Sequence, residues 1–233
     1  MPSYREYCPI AVGAELFGDR WTPLILRELM IGSRRFNEIH RGLARMSRTL
    51  LIARLRELER RGIVERTIDA TGRTSEYRLT ESGQELEPIV WALGHWAARW
   101  SFGDPADEEL DVAWLAWRLH QHVQSERLPD ERVVVQITAD GPGGGDAWIV
   151  LDRGGSTACS IDPGYDVDLV LSGDNRDLHR WLLGARSFRE LQRAGSARLI
   201  GPSKLTRSFA AWFDNTAFTK SYAPQPEPMP ASA

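Results

Sequence analysis

The chain has 233 residues but only two cysteines, Cys8 and Cys159, which stand far apart and at no metal-ligand spacing. A disulfide scaffold or a structural zinc site needs several cysteines at short intervals, so both are excluded. Lysine is nearly absent too: Lys204 and Lys220 are the only two, and arginine carries almost all of the positive charge. No apolar run reaches the length of about 18 residues that a membrane helix needs. The opening MPSYREYCP is not a signal peptide. The expectation is a cytoplasmic protein with no membrane partner. The residues of common catalytic devices are missing as well. The five histidines, His40, His95, His120, His122 and His179, are scattered, and His120 and His122, two apart, do not share a helix face. No G-x-S-x-G, H-E-x-x-H or G-x-x-x-x-G-K occurs. GPGGG (141–145) joins two strand-like runs and lacks the Lys-Ser/Thr of a phosphate loop. Asp166 and Asp168 share one strand face and read as a solvated edge. The chain is therefore expected to have no catalytic residues, no metal and no cofactor.

What is present is unevenly distributed. Residues 1–100 hold 16 Arg against 13 acidic residues, a net of +3, whereas residues 101–233 carry a net of −6. Within 33–78 there are 12 Arg and 6 acids. A basic segment beside an acidic half suggests that only the first half meets a polyanion.

The first half is organised around Met46–Arg61, MSRTLLIARLRELERR, closed by Gly62. Ser47 is a good N-cap, since its hydroxyl can accept an amide hydrogen left unpaired at a helix start. Leu51, Leu55 and Leu58 recur at i, i+4 and i+7 and predict a core-facing stripe. The opposite face carries Thr49, Ala53, Arg56 and Arg60, with Ile52 beside them, and Arg48 sits in the first turn. Guanidinium groups beside small apolar ones suit a major groove, where Arg bonds guanine edges or phosphates and a small group touches a thymine methyl. Taken alone, the stretch also reads as an ordinary solvated amphipathic helix.

Its neighbours decide between the two. Pro9–Phe17 reads as a short helix ending at Gly18. Trp21–Met30, capped by Asp19, is a second, with Trp21, Leu24, Ile25 and Leu29 as its stripe. Phe36–Leu43, with Asn37 as its cap, is a third. After Gly62, the β-rich runs Ile63–Ile68 and Ser75–Leu79 flank Ala70-Thr71-Gly72-Arg73, a turn with glycine where positive φ is easy. Arg73 tips this hairpin, and Arg66 and Arg78 lie at its base. The order of helices followed by an arginine-tipped hairpin is that of a winged helix-turn-helix, whose long helix enters the major groove while the wing contacts backbone or minor groove.

These residues also carry a resemblance. CPI…LFGDRWTPLILREL…GSRRFNEIH…MSRTLLIARLRELERRGIVERT…SEYRLTESG resembles the HxlR family of bacterial transcription regulators over about the first hundred residues. The resemblance implies a homodimer on an inverted-repeat DNA operator, with Ser47–Arg61 reading the DNA. Some family members sense oxidants through an N-terminal cysteine, and Cys8 before Pro9 matches that position, which makes it a candidate redox sensor. Such sensing requires a thiolate, favoured by a helix start or by cations such as Arg5. The alternative for a lone cysteine is a quiet packing residue.

From Thr80 a further helix is expected to run to Trp100, with Leu86, Ile89, Leu93, Trp96 and Trp100 as its stripe. A partner helix from a second subunit would cover this stripe as a dimer interface, although packing within the same chain is the other reading.

The second half reads as a linker (101–109), a helix (Leu110–His122), and four meandering strands at Arg132–Thr138, Ala147–Asp152, Thr157–Ile161 and Asp166–Leu171. Two helices (Asn175–Leu183, Phe188–Ala194), a strand (Ala197–Ile200) and a last helix (Ser203–Phe213) follow. The tail from Tyr222 is Pro-rich and expected to be disordered. VDLVLSGDNRDLHRWLLGARSFRELQRAGSARLIG is similar to the sterol-carrier-protein family, which implies an apolar tunnel between sheet and helices. Trp148, Trp181 and Trp212 are candidates to line it, although tryptophans at such spacings are usually plain core.

The expected fold class is thus α+β. A winged helix domain for DNA binding and dimerisation (1–100) and a linker (101–109) precede a sterol-carrier-like α+β domain (110–215), with a disordered tail over 222–233. The expected partners are a double-stranded DNA operator, a second copy of the chain and a small hydrophobic effector. The competing reading is a carrier of hydrophobic ligands, or a scaffold, whose helix-turn-helix serves protein contacts.

Overall fold

A computed structural model describes residues 4–68 and 75–222. The chain divides into two compact units, Met1–Leu93 and Gly94–Ala233, and the division falls inside a helix.

The first unit begins with α1 (Pro9–Phe17), α2 (Thr22–Met30), α3 (Phe36–Gly42) and α4 (Arg48–Arg60). Prolines enter α1 and α2 in the first turn, where a missing N–H costs nothing. The Asp19 carboxylate accepts the Trp21 N–H (3.0 Å) ahead of α2. The expected Asn37 cap of α3 is corrected: Arg35 is the N-cap, and the Glu38 carboxylate accepts the N–H groups of Arg34 (2.8 Å) and Arg35 (2.9 Å). Asn37 lies inside α3 with its side chain free for other work.

An antiparallel hairpin follows, β1 (Val64–Ile68) and β2 (Ser75–Leu79). Arg35 bridges to Glu76, and the Tyr77 N–H donates to the Arg34 carbonyl (2.8 Å), so the link before α3 is tied to the outer edge of β2 by an isolated bridge. Ile25, Leu26, Leu29, Ile39, Met46, Leu51, Leu55 and Leu58 form the core. Gly42 of α3 faces Glu28 of α2, whose carboxylate is buried and holds the Arg27 guanidinium (2.8 Å). A β-carbon at Gly42 would overlap that carboxylate, so glycine lets α3 approach α2 closely without displacing Glu28.

The single helix expected from Thr80 to Trp100 is two: α5 (Glu81–Gln84) and α6 (Glu87–Trp100). Pro88 has no N–H for the Gln84 carbonyl, so the first turn cannot propagate and a new helix starts. Thr80 caps the first piece, its hydroxyl accepting the Gly83 N–H (3.1 Å).

The second unit carries α7 (Val112–Gln121), β3 (Val133–Asp140), β4 (Gly145–Leu151), β5 (Thr157–Cys159) and β6 (Leu169–Asp174). These lead to α8 (Asn175–Leu182), α9 (Phe188–Ala194), β7 (Ala197–Ile200), α10 (Ser203–Ser208) and a 3-10 turn at Phe209–Trp212. The order across the sheet is β5-β4-β3-β6-β7, and β6 runs parallel to β3. The expected four-strand meander is therefore wrong at its last step. After β5 the chain returns past two strands, and Leu169 and Leu171 pair in register with Val135 and Ile137 on the buried face. Asp168, read as a solvated edge, instead closes that ladder: its carboxylate accepts the Val134 N–H (2.8 Å) and its own N–H donates to the Val134 carbonyl (3.0 Å).

Alternate residues of the sheet point to opposite faces. Val133, Val135, Ile137, Ala147, Ile149, Leu169 and Leu171 join α7, α8, α9 and the 3-10 turn in one core, into which Trp181, Phe188, Phe209, Trp212 and Phe213 pack. The segment 101–109 is tied down, with Arg180 holding Asp104 (2.7 Å) and Arg176 bonded to Pro105 and Asp107. Tyr222 lies against Phe102, ring centroids 6.3 Å apart, while the rest of the expected disordered tail, 223–233, is outside the described residues.

Candidate nucleic-acid interface

The geometry of α4 follows from its two faces. Leu51, Leu55 and Leu58 are buried, each worth about 1.5–3 kcal/mol of transfer out of water. They fix the helix rotation, so Thr49, Ile52, Ala53, Arg56 and Arg60 are held outward and exposed. Ser47 caps the helix, its hydroxyl accepting the Leu50 N–H (3.2 Å).

The arginines of this face are not equivalent. Arg54 turns back to pair with Asp19. Arg60 and Arg61 share the carboxylate of Glu57, Arg61 at 2.7 Å, and the Arg61 hydrogen bond holds that carboxyl below its ordinary range. Arg56 is exposed and forms no ion pair among the described residues. Arg48, at the first helical position, donates to the Asn37 side-chain carbonyl (2.8 Å) and lies 4.9 Å from the Phe36 ring centre.

The hairpin register separates two residues that the sequence placed together. Arg66 is opposite Tyr77, and Arg78 is opposite Glu65. Arg66 therefore shares the face of Tyr77, its guanidinium carbon 5.9 Å from the ring and its Nη2 donating to Ser75 (3.2 Å). Burial pushes the Tyr77 hydroxyl up, and the charges of Arg66 and Arg56 both act against that shift, which puts α4 and β1 cations about one ring. Arg78 is on the other face and pairs with Glu76 (3.0 Å). Arg73 lies outside the described residues.

Of the residues expected at a dimer interface, Ile89, Leu93, Trp96 and Trp100 form a continuous stripe on α6, each 50–57 % exposed. Leu86 departs from it: α6 starts one residue later, and Leu86 packs against the core of the first unit. Ile10 and Val12 on α1 are exposed as well. Cys8 is a half-buried free thiol at the N-cap of α1, and Cys159 is also free.

The three tryptophans named for a ligand tunnel do not line one space. Trp181 and Trp212 are inside the sheet–helix core. Trp148 lies between the inward Ala147 and Ile149, and so on the opposite face of the sheet, in register with Gln136 and Cys159. Alternation along β4 was readable; which phase faced the helices was not. Sequence reasoning also missed Phe36 and Asn37 as neighbours of Arg48, because the two helices meet only in the fold.

Among the described residues no cluster of His, Cys, Asp and Glu could hold a metal ion, and no helix is long and apolar enough to cross a membrane. A model of the HxlR-like helix-turn-helix family matches residues 16–104. The HTH-type transcriptional regulator YvaP of Bacillus subtilis is 39 % identical over 97 residues, 41 % of this chain and 90 % of YvaP. The chain belongs to the HxlR-like family. A second relative, the HTH-type transcriptional regulator MT3179 of Mycobacterium tuberculosis, is 42 % identical over 83 residues, 35 % of this chain and 52 % of that protein. The reduced form of the transcriptional regulator YodB from B. subtilis is similar at 37 % identity and a TM-score of 0.37, over 41 % of this chain and 96 % of that one. The HxlR-like match stops at residue 104, ahead of the five-stranded sheet.

Proposed function

We propose that this HxlR-like protein is a DNA-binding transcription regulator that acts as a homodimer on an inverted-repeat operator. The observation that carries the reading is the outward face of α4, with Arg56 in no ion pair among the described residues and Arg48, Thr49, Ile52 and Ala53 exposed above a buried leucine stripe. Arg66 extends this surface from β1, whereas Arg78, turned away and paired with Glu76, is not part of it. The dimer is formed by α6 and α1, since a stripe of two tryptophans, a leucine and an isoleucine at helical spacing is a large apolar surface to leave in water. A second copy, related by a two-fold axis, would present a second α4 to the other half-site.

The second unit is read as the effector module. A hydrophobic effector belongs in the apolar layer between the sheet and α7, α8 and α9, the side of Trp181 and Trp212 and not of Trp148. Its effect on DNA affinity is a linkage: it acts only by binding the DNA-ready and DNA-incompetent dimers differently. Redox sensing through Cys8 is a separate element, tested by whether a Cys8→Ser variant still loses DNA on peroxide treatment.

Salt titration of DNA binding tests the main reading. Phosphate contacts release counterions, so affinity for a retained duplex should fall steeply and log-linearly with salt. A full-length protein that retains no duplex at low salt contradicts it.

A further inference from the structure

Arg48 differs from every other arginine of α4 in being held without being neutralised. Its partner Asn37 is an amide, so the full positive charge survives, and no carboxylate pairs with it among the described residues. The guanidinium lies over Phe36, 4.9 Å from the ring centre. Phe36 in turn stacks on His40, with centroids 6.1 Å apart and planes 12° from parallel. The His40 Nε2–H donates to the Met46 carbonyl (3.0 Å), immediately before the Ser47 cap of α4. A column of His40, Phe36 and Arg48 thus runs from α3 to α4, and its His40 end is pinned to the chain entering α4.

An arginine normally gives up much rotamer freedom when it docks, and here that ordering precedes the encounter. The guanidinium has five N–H donors and Asn37 takes one, which leaves enough for the paired O6 and N7 acceptors of a guanine. Base readout demands a fixed fork; a phosphate contact tolerates a loose one. Arg56, exposed and without a buttress, suits the second task. The first turn of a groove helix is also where base edges are met.

We propose that Arg48 is a specificity-determining residue that reads a guanine edge, and that Phe36 and Asn37 are its positioning residues. This rests on α4 being the groove helix, and the test separates the two claims. Full-length protein would be used to enrich a duplex from a random-sequence library. Affinities would then be measured for that duplex and for every single-base-pair replacement of it, at several salt concentrations.

Arg48→Ala should abolish discrimination at one G·C pair per half-site, a loss of about tenfold or more there, while the salt slope stays nearly unchanged. Asn37→Ala and Phe36→Leu should each lower discrimination at that same pair, and Phe36→Tyr, which keeps the ring face, should restore it. Thermal melting of each variant would confirm that the domain still folds. If Arg48→Ala weakens all duplexes alike and flattens the salt slope, Arg48 is a phosphate contact and the proposal is overturned. If Arg48→Ala removes discrimination but Asn37→Ala and Phe36→Leu do not, the positioning roles are overturned. Failure to enrich any duplex overturns the groove-helix reading underneath.

Discussion

Tryptophan has opposite fates in two regions of this molecule. On α6, Trp96 and Trp100 stand more than half exposed, whereas Trp181 and Trp212 in the sheet domain are 4 % and 1 % exposed. The sheet domain surrounds its aromatics with five strands on one side and helices on the other, so it has a complete core. The helical region has four short helices, a long one and a small hairpin, and the apolar stripe of α6 stays exposed. Apolar side chains that the chain itself does not cover mark the surface where something else binds. One set of tryptophans is enclosed by its own domain and the other is left at the surface.

The largest effect is expected in the closed region. Phe209 lies among Trp181, Phe188, Trp212 and Phe213, with ring centroids 5.2–5.8 Å away. Phe209→Ala should destabilise the sheet domain by about 3–5 kcal/mol, read as a lowered denaturant midpoint in tryptophan fluorescence. An equal loss from Trp96→Ala would mean that Trp96 is core after all.

In the open region Gly42 packs directly against Glu28. Gly42→Ala forces a methyl onto a buried carboxylate and should cost about 1–3 kcal/mol in the helical domain, measured by thermal melting. Ser47→Ala removes the cap of α4 and should cost about 1 kcal/mol, with the same readout.

The smallest expected effect is on pH dependence, and it sharpens the contrast further. His122 and His179, both in the closed domain, are pushed below the ordinary histidine value of 6.5, chiefly by burial. Below 6.5 the unfolded chain protonates first and binds more protons than the folded one, so stability falls as pH falls. The loss begins as pH drops through 6.5 and continues down to the folded values. Denaturant midpoints of the sheet domain should decline from about pH 7.5 to about pH 5.5, and a His179→Phe variant should decline less. A midpoint that rises on acidification would contradict the burial of these two rings.

Much of this was legible in the sequence because it is local. Ser47 and the leucines at i, i+4 and i+7 fixed the start and rotation of α4, and the strand–turn–strand pattern located β1 and β2. Helices α1 and α9 and strand β7 fall where periodicity placed them. What was not legible depends on contacts between distant residues. Nothing local says that Leu169 will pair with Val135 instead of with β5, or that Trp148 points away from the helices. The same holds for the candidate interface: composition grouped Arg66 with Arg78, and only register put them on opposite faces. Two glycines carry a further non-local feature. Gly94 leaves room for the Phe218 ring and Gly184 for the backbone of Asn215, so the segment after Phe213 packs against both α6 and the end of α8. Read in sequence, each is only a helix glycine or a cap.

In the proposed assembly the open region is completed by a second copy of the chain on DNA. Sedimentation velocity of the full-length protein with an enriched duplex measures this stoichiometry directly. Two chains per duplex are expected, with a Trp96→Ser/Trp100→Ser variant sedimenting as a monomer and binding the duplex far more weakly. One chain per duplex, with affinity undiminished by that double substitution, would contradict it.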